Sequence, residues 1–343
     1  MVSKRLHGVL DSGEQVMLYT LEAGAYKVEI STYGGTIVRL WTPDRQGVSG
    51  DVVLGYDSLA EYGPSTTYFG AIIGRYANRI ARGRFTIDGK TYAVPRNDHG
   101  LNALHGGTIG FDRRVWAALT SEADGAPGLH LSLFSADGEM GFPGNMRAYV
   151  EYILKPSGEL EIGYSVTCDQ KCPVNLTNHS YFNLACGGDI LGHQMMLDCD
   201  RYVPVGSDLI PTGVVVPVSG TAFDFTTPKK IGHDIERAGG YDHCMVLREC
   251  DGRLREFAMV MDPSSGRMMK VSTTKPAVQL YTGNFLNGKV AGKGGVRYPK
   301  HSGFCLETQY FPDAMNQSAF PNCILMPGEE YQHTTVYQFG VVG

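Results

Sequence analysis

Glu307 is a lone acid in an apolar run, Gly303-Phe-Cys-Leu-Glu-Thr-Gln-Tyr-Phe-Pro-Asp-Ala-Met-Asn316. Residues 304–311 have the aromatic and aliphatic content of a strand, and Pro312 ends it. Alternation puts Glu307 on one face with Cys305 and Gln309, while Phe304, Leu306 and Tyr310 face the other way. A carboxylate mounted this way is costly unless it is paired or opens into a cleft. An ordinary solvent-facing glutamate is the competing interpretation, and this stretch alone does not remove it.

A second stretch sets several polar side chains in register. In Val174-Asn-Leu-Thr-Asn-His-Ser-Tyr-Phe-Asn-Leu184, a single strand would set Asn175, Thr177, His179, Tyr181 and Asn183 on one face. Such a row suits a wall facing a polar ligand, and a solvent-facing strand is the alternative. Leu104-His-Gly-Gly107 offers His105 beside two glycines that let backbone come close to a ligand or turn tightly. Gly74-Arg-Tyr-Ala-Asn-Arg-Ile-Ala-Arg-Gly83 carries Asn78 and three arginines, whose fixed donors suit sugar oxygens, carboxylates or phosphates. Asp242 stands at a strand entrance in Tyr241-Asp-His243. Gln279 and Tyr281 share a face of the run 276–281. Neutral amides, histidines, tyrosines, an arginine and two carboxylates on an apolar scaffold are what recognition of a polyhydroxylated ligand needs. Glu307 and one of the histidines would supply a base and an acid, with ordinary pKa values of about 4.3 and 6.5.

The elements that must hold these residues read as all-β. The 343 residues include 44 Gly and 17 Pro, with few long helical patterns, so many turns between strands are expected. Strands are predicted over 15–22, 26–32 and 36–42, with Gly34-Gly35 as a sharp turn or bulge. Asp88-Gly89 between two alternating runs predicts a two-residue hairpin. Leu129, Leu131 and Leu133 mark one further strand, and Leu160, Ile162, Tyr164 and Val166 another, with Pro156-Ser-Gly158 as a turn. Residues 58–62 predict one helical turn and 229–238 a short surface helix. With no repeat or linker, the whole of 1–343 is expected to form one large antiparallel β-sandwich domain.

A net charge of −5 gives no basic field for nucleic acid or an anionic membrane. No leader-like apolar run follows Met1 and no stretch is long enough to span a bilayer, so a cytoplasmic protein is expected. The eight cysteines lack zinc spacing, and no metal site is expected.

These pieces together resemble the galactose mutarotase (aldose 1-epimerase) family. The matching runs are Gly-Arg-Tyr-Ala-Asn-Arg-Ile (74–80), Leu-His-Gly-Gly (104–107), Gly-Phe-Asp-Arg-Arg-Val-Trp (110–116) and Asn-Leu-Thr-Asn-His-Ser-Tyr-Phe-Asn-Leu (175–184). They continue through 209–213, Tyr-Asp-His (241–243), Glu-Thr-Gln (307–309) and 311–316 to Met-Pro-Gly-Glu-Glu-Tyr (326–331), covering nearly the whole chain in order. The resemblance implies a distorted β-sandwich (a supersandwich) with an open cleft for a free aldohexose. It makes Glu307 the general base and His179 the general acid. Asn78, Arg79, His105, Tyr181, Asp242 and Gln279 become sugar contacts, with no metal or organic cofactor required. A small-molecule sugar is the implied partner, and the protein would be a monomer or homodimer. Phe-Asp-Phe-Thr (223–226) departs from the family by carrying threonine where arginine is common. Three competitors remain. A hexose-phosphate epimerase would use Arg75, Arg79 and Arg82. A glycoside hydrolase would pair Glu307 with Asp242. The third is a non-catalytic sugar-binding module.

Overall fold

Along the central strands of the largest sheet, buried and less buried residues alternate. In Glu159–Cys168, for example, Leu160, Ile162, Tyr164, Val166 and Cys168 point inward. The protein is described here from a computed structural model covering residues 1–289 and 291–342. Nine antiparallel strands form that sheet, in the order Ala117–Ala123, Ala126–Ser135, Met146–Leu154, Glu159–Cys168, Tyr331–Val341, Arg267–Thr273, Arg255–Met261, Gln194–Leu197 and Lys229–Lys230. The C-terminal strand Tyr331–Val341 fills the middle, pairing Glu159–Cys168 on one side and Arg267–Thr273 on the other.

Two five-stranded sheets accompany it. One is an N-terminal meander of Val2–Val9, Gln15–Ala23, Tyr26–Ser31, Thr36–Pro43 and Ser49–Asp51. The other runs Val216–Pro217, Arg201–Val203, Asp242–Val246, Ala277–Tyr281, Cys305–Gln309 and carries the residues of interest. Tyrosine hydroxyls tie the layers together: Tyr152 donates to the Gly35 carbonyl at 2.7 Å, and Tyr337 to the Leu306 carbonyl at 3.2 Å. One large apolar core spans all three sheets. The architecture is thus the antiparallel β-sandwich that alternation predicts, with only two four-residue helices among the described residues. No helix of the described residues is long and apolar enough to cross a membrane.

Local predictions largely agree. Asp88 and Gly89 have φ of 50° and 78° between strands Arg84–Ile87 and Lys90–Ala93, as the two-residue hairpin requires. Ser58 caps the helical turn Leu59–Tyr62 through a reciprocal arrangement with Glu61. Two expectations fail. The stretch 229–238 yields a helix only over Ile235–Ala238, because Lys229–Lys230 pair with Gln194–Met195 as a sheet edge. Residues 174–184 are not one strand: only Thr177–Asn178 are extended in a ladder, paired with Ile72–Ile73. The Asn178 side chain accepts from both the N–H and the hydroxyl of Ser180, a local turn that competes with the ladder. The whole of 174–184 is also buried, so it has no solvent face.

Candidate active site

The five-stranded sheet ending in Cys305–Gln309 is buried on both faces at that end: all five residues there, and all of Ala277–Tyr281, are buried. Cross-strand register puts Gln279 opposite Glu307, and Tyr281 opposite both Cys305 and Asp242. Directly opposed residues share a face, so these five and Gln309 form one polar patch inside an apolar layer. The other face is ordinary core, with Leu306 among the packed residues. The alternation derived for Glu307 therefore holds, but its polar face looks into the protein and not into bulk water.

His179 reaches this patch from the irregular stretch 174–184. Its backbone N–H donates to the Ala71 carbonyl at 2.9 Å, and its own carbonyl accepts from Gly70 at 3.0 Å. Beyond it, Phe182 bridges to Phe304, just ahead of the Glu307 strand. Imidazole Nε2 of His179 then lies 3.6 Å from Glu307 Oε2, with the two residues 4% and 2% exposed. Its ring lies nearly parallel to Tyr181, with centroids 5.1 Å apart and a 19° tilt, and to Tyr68 at 5.9 Å and 23°.

Glycine packing brings His105 alongside. Gly106 has φ of 89°, and a Cβ there would sit 2.0 Å from the Gly74 carbonyl oxygen, so the His-Gly-Gly loop lies directly on the 74–80 loop. His105 exchanges hydrogen bonds with Asn78: its own N–H donates to the Asn78 carbonyl, and the Asn78 N–H donates to ring Nδ1, both at 3.1 Å. Asn78 Oδ1 meanwhile accepts from the Arg79 N–H at 2.8 Å.

Arg79 is 6% exposed and held between two acids. Its Nε donates to Asp98 at 2.9 Å, and Nη1 is 3.9 Å from Asp242. Asp242 in turn accepts from Gln279 Nε2 at 2.7 Å, and Gln309 donates to Gln279 Oε1 at 3.4 Å. All eight expected site residues therefore gather in one place. Cys305 and Gln309, the face-mates of Glu307 in the sequence, are there too, and Asp98 and Tyr68 join them unannounced. Asp98 had only a partial signal in retrospect: a buried guanidinium needs acceptors, which can be carboxylates or carbonyls, and nothing in the sequence pairs Arg79 with Asp98 over Asp88 or Asp112.

Burial sets the electrostatics. It pushes the Glu307 carboxyl well above the usual range; the Asp242 charge adds to this and Arg79 opposes it. The same loss of water lowers His179 to about 4 and His105 well below its ordinary value. Glu307 Oε2 and Gln309 Oε1 are buried without a hydrogen-bond partner. Polar atoms left open in this way are costly to keep, and they are the atoms a ligand's hydroxyls would satisfy.

Ligating atoms of His105, His179 and Glu307 all lie within 4.8 Å of one another, close enough to suggest a cation. His105 does not suit that task. Its Nδ1 lone pair is taken by the Asn78 N–H, so the neutral ring keeps its hydrogen on Nε2. Neither nitrogen offers a free lone pair, whereas a ligating histidine donates from its second nitrogen. The trio fits hydroxyl groups better than a metal ion.

The arginines separate in role. Arg75 is buried and fully occupied by the Ser135 hydroxyl and the carbonyls of Ser135, Ala136, Pro143 and Gly144, at 2.7–3.0 Å. Arg82 is exposed. The basic pocket that a phosphorylated sugar needs is not formed by these three residues.

Comparison with known proteins points in one direction. The family model described as aldose 1-epimerase matches residues 17–338. A galactose mutarotase of Rattus norvegicus is 47% identical over 346 residues, covering 99% of each chain. An aldose 1-epimerase of Escherichia coli K12 is 38% identical over 337 residues, covering 95% of this chain and 96% of its own. Among solved structures, the GalM/aldose epimerase homologue of C. elegans superposes with a TM-score of 0.86 at 28% identity, over 94% of this chain and 97% of that one. The galactose 1-epimerase of Lactobacillus acidophilus gives 0.85 at 26% identity, over 100% and 99%.

Proposed function

The chain belongs to the aldose 1-epimerase family and is an isomerase of the mutarotase type; on that premise we propose that Glu307 and His179 are its proton-transfer pair. The observation that carries this is their side-by-side placement, Nε2 to Oε2 at 3.6 Å, inside a buried polar patch. The ring oxygen and the anomeric hydroxyl hang from one carbon, about 2–2.5 Å apart. Two groups spaced like these can therefore each lie within about 2.6–3.2 Å of one oxygen. They need not straddle the sugar.

Ionised Glu307 takes the hydrogen of the anomeric hydroxyl. The bond from C1 to the ring oxygen breaks, its electron pair stays on that oxygen, and protonated His179 supplies the proton from Nε2. The open-chain aldehyde turns about the C1–C2 bond and presents its other face. Closure reverses both transfers, so the pair ends as it began. While the aldehyde is bound, Glu307 is protonated and His179 neutral, the state that burial favours at both groups. The desolvated site thus lowers the cost of the high-energy intermediate. With the ring closed, the charged pair relies on Arg79 and on substrate hydroxyls for compensation. In this reading Asn78, Arg79, His105, Tyr181, Asp242 and Gln279 hold the sugar, with Tyr181 also supporting the imidazole. We take 1–343 as one catalytic domain, cytoplasmic, a monomer or homodimer.

Free aldohexoses are the proposed substrates, with galactose favoured by the relatives' names. Freshly dissolved α-galactose and α-glucose should reach anomeric equilibrium faster by polarimetry when enzyme is added, and no acceleration with any aldose would overturn the reading. Phosphorylated hexoses should be poor substrates. Asp242 is committed to Gln279 and Arg79, which argues against a hydrolase, and disaccharides should release no reducing ends.

A pH profile gives a second check. The pair is competent while it holds one proton between its two members. Ordinary values would confine that state to about pH 4.3–6.5. The acid limb belongs to His179, lowered to about 4, and the basic limb to Glu307, raised above 4.5. kcat/KM should therefore hold from just above pH 4 upward to a basic limb set by the raised Glu307, and an acid limb near pH 6.5 would contradict the assignment.

A further inference from the structure

We infer that Cys305 is a positioning residue: its sulfur accepts the hydrogen on Nδ1 of His179 and so reserves Nε2 for exchange with the sugar. The inference rests on the acid role proposed above for His179.

Cys305 Sγ lies 3.6 Å from His179 Nδ1, at the back of the imidazole, while Nε2 at the front faces Glu307 Oε2. The sulfur is completely buried and packs among Tyr181 and Tyr281, which fixes its position. It sits two residues before Glu307 on the same face of one strand. A single rigid element thereby holds both the group behind the ring and the carboxylate in front of it.

The chemistry requires a particular partner at Nδ1. A histidine that gives and regains a proton only at Nε2 alternates between imidazolium and the neutral form with hydrogen on Nδ1. The Nδ1 hydrogen is present throughout and needs an acceptor. A thiol sulfur is a weak acceptor. It orients the ring without adding a second negative charge, whereas a carboxylate at that place would raise the basicity of the ring. Lacking the sulfur, the ring can place its hydrogen on Nε2, where it cannot accept from the ring-oxygen hydroxyl during closure. His105 shows the opposite arrangement: the Asn78 N–H occupies its Nδ1 and makes its Nε2 a donor. The two histidines are thus set to opposite tautomers by their rear partners.

The test compares wild type, Cys305→Ser and Cys305→Ala in the full chain, with histidine 15N labelling to read which nitrogen of His179 is protonated. Expected are hydrogen on Nδ1 in wild type and Cys305→Ser, and a shift towards Nε2 in Cys305→Ala. The alanine variant should lose about 10-fold in kcat with KM within about twofold, and serine should restore most of it. Hydrogen on Nε2 in the wild type would overturn the inference. So would a slow Cys305→Ala enzyme whose tautomer is unchanged, since that is loss of packing alone. The tautomer is read without turnover, whereas an active His179→Asn enzyme would strike the acid role itself, so the two failures are separable.

Discussion

Glu307→Gln and His179→Asn should each slow mutarotation by roughly 10²–10⁴ in kcat while leaving the fold intact. Each change keeps the shape and removes the ability to carry a proton at one of the two oxygens. Near-wild-type polarimetric rates for either variant would remove that residue from its role. The glutamine variant carries a second expectation. Glu307 has a folded pKa above its unfolded value, so its stabilising contribution is fully present below about pH 4.5 and is lost as pH rises through the folded value. Glutamine does not titrate and so escapes that loss. At neutral pH Glu307→Gln should resist denaturant better than wild type, with the gap closing as pH falls towards 4.5. An inactive but less stable variant would contradict the buried, poorly compensated carboxylate described here.

The sequence carried the strands of the sheets because their signal is local. Leu129, Leu131 and Leu133, or Leu160 to Val166, alternate with a period of two, and Asp88-Gly89 names its own turn. The edge strand Val2–Val9 carries no such alternation, since its residues are exposed or half-buried. The site residues were legible partly as odd residue types in apolar surroundings and partly through resemblance to a family. Their mutual placement was not, because it depends on contacts between segments far apart in the chain. Asn175 and Asn183 show the limit. They share the period of His179 and Tyr181, yet Asn175 bonds the carbonyls of Ala77 and Tyr310, and Asn183 those of Gly187, Gly188 and Ser302. Both fasten loops to one another. Periodicity assumed an unbroken strand, and the Asn178–Ser180 turn breaks it.

The arginines of the 74–83 loop make the same point with a larger expected consequence. By residue type all three were equal candidates for an anionic substrate group, and the fold assigns Arg75 to structure. Arg75→Met should destabilise the protein by about 3–5 kcal/mol, because it removes a buried charge-assisted donor set and leaves four backbone carbonyls and a hydroxyl short of a partner. Those carbonyls belong to residues 135–144, which face the loop that presents Asn78 and Arg79, so the guanidinium fixes the site from behind. Denaturant unfolding should show the loss directly, and Arg75→Lys should recover only part of it, since an ammonium cannot reproduce the planar fork. A phosphate-binding arginine would behave in the reverse manner, with stability unchanged and affinity for a phosphorylated hexose lost. An Arg75→Met protein as stable as wild type would refute the structural assignment and return the hexose-phosphate reading to contention.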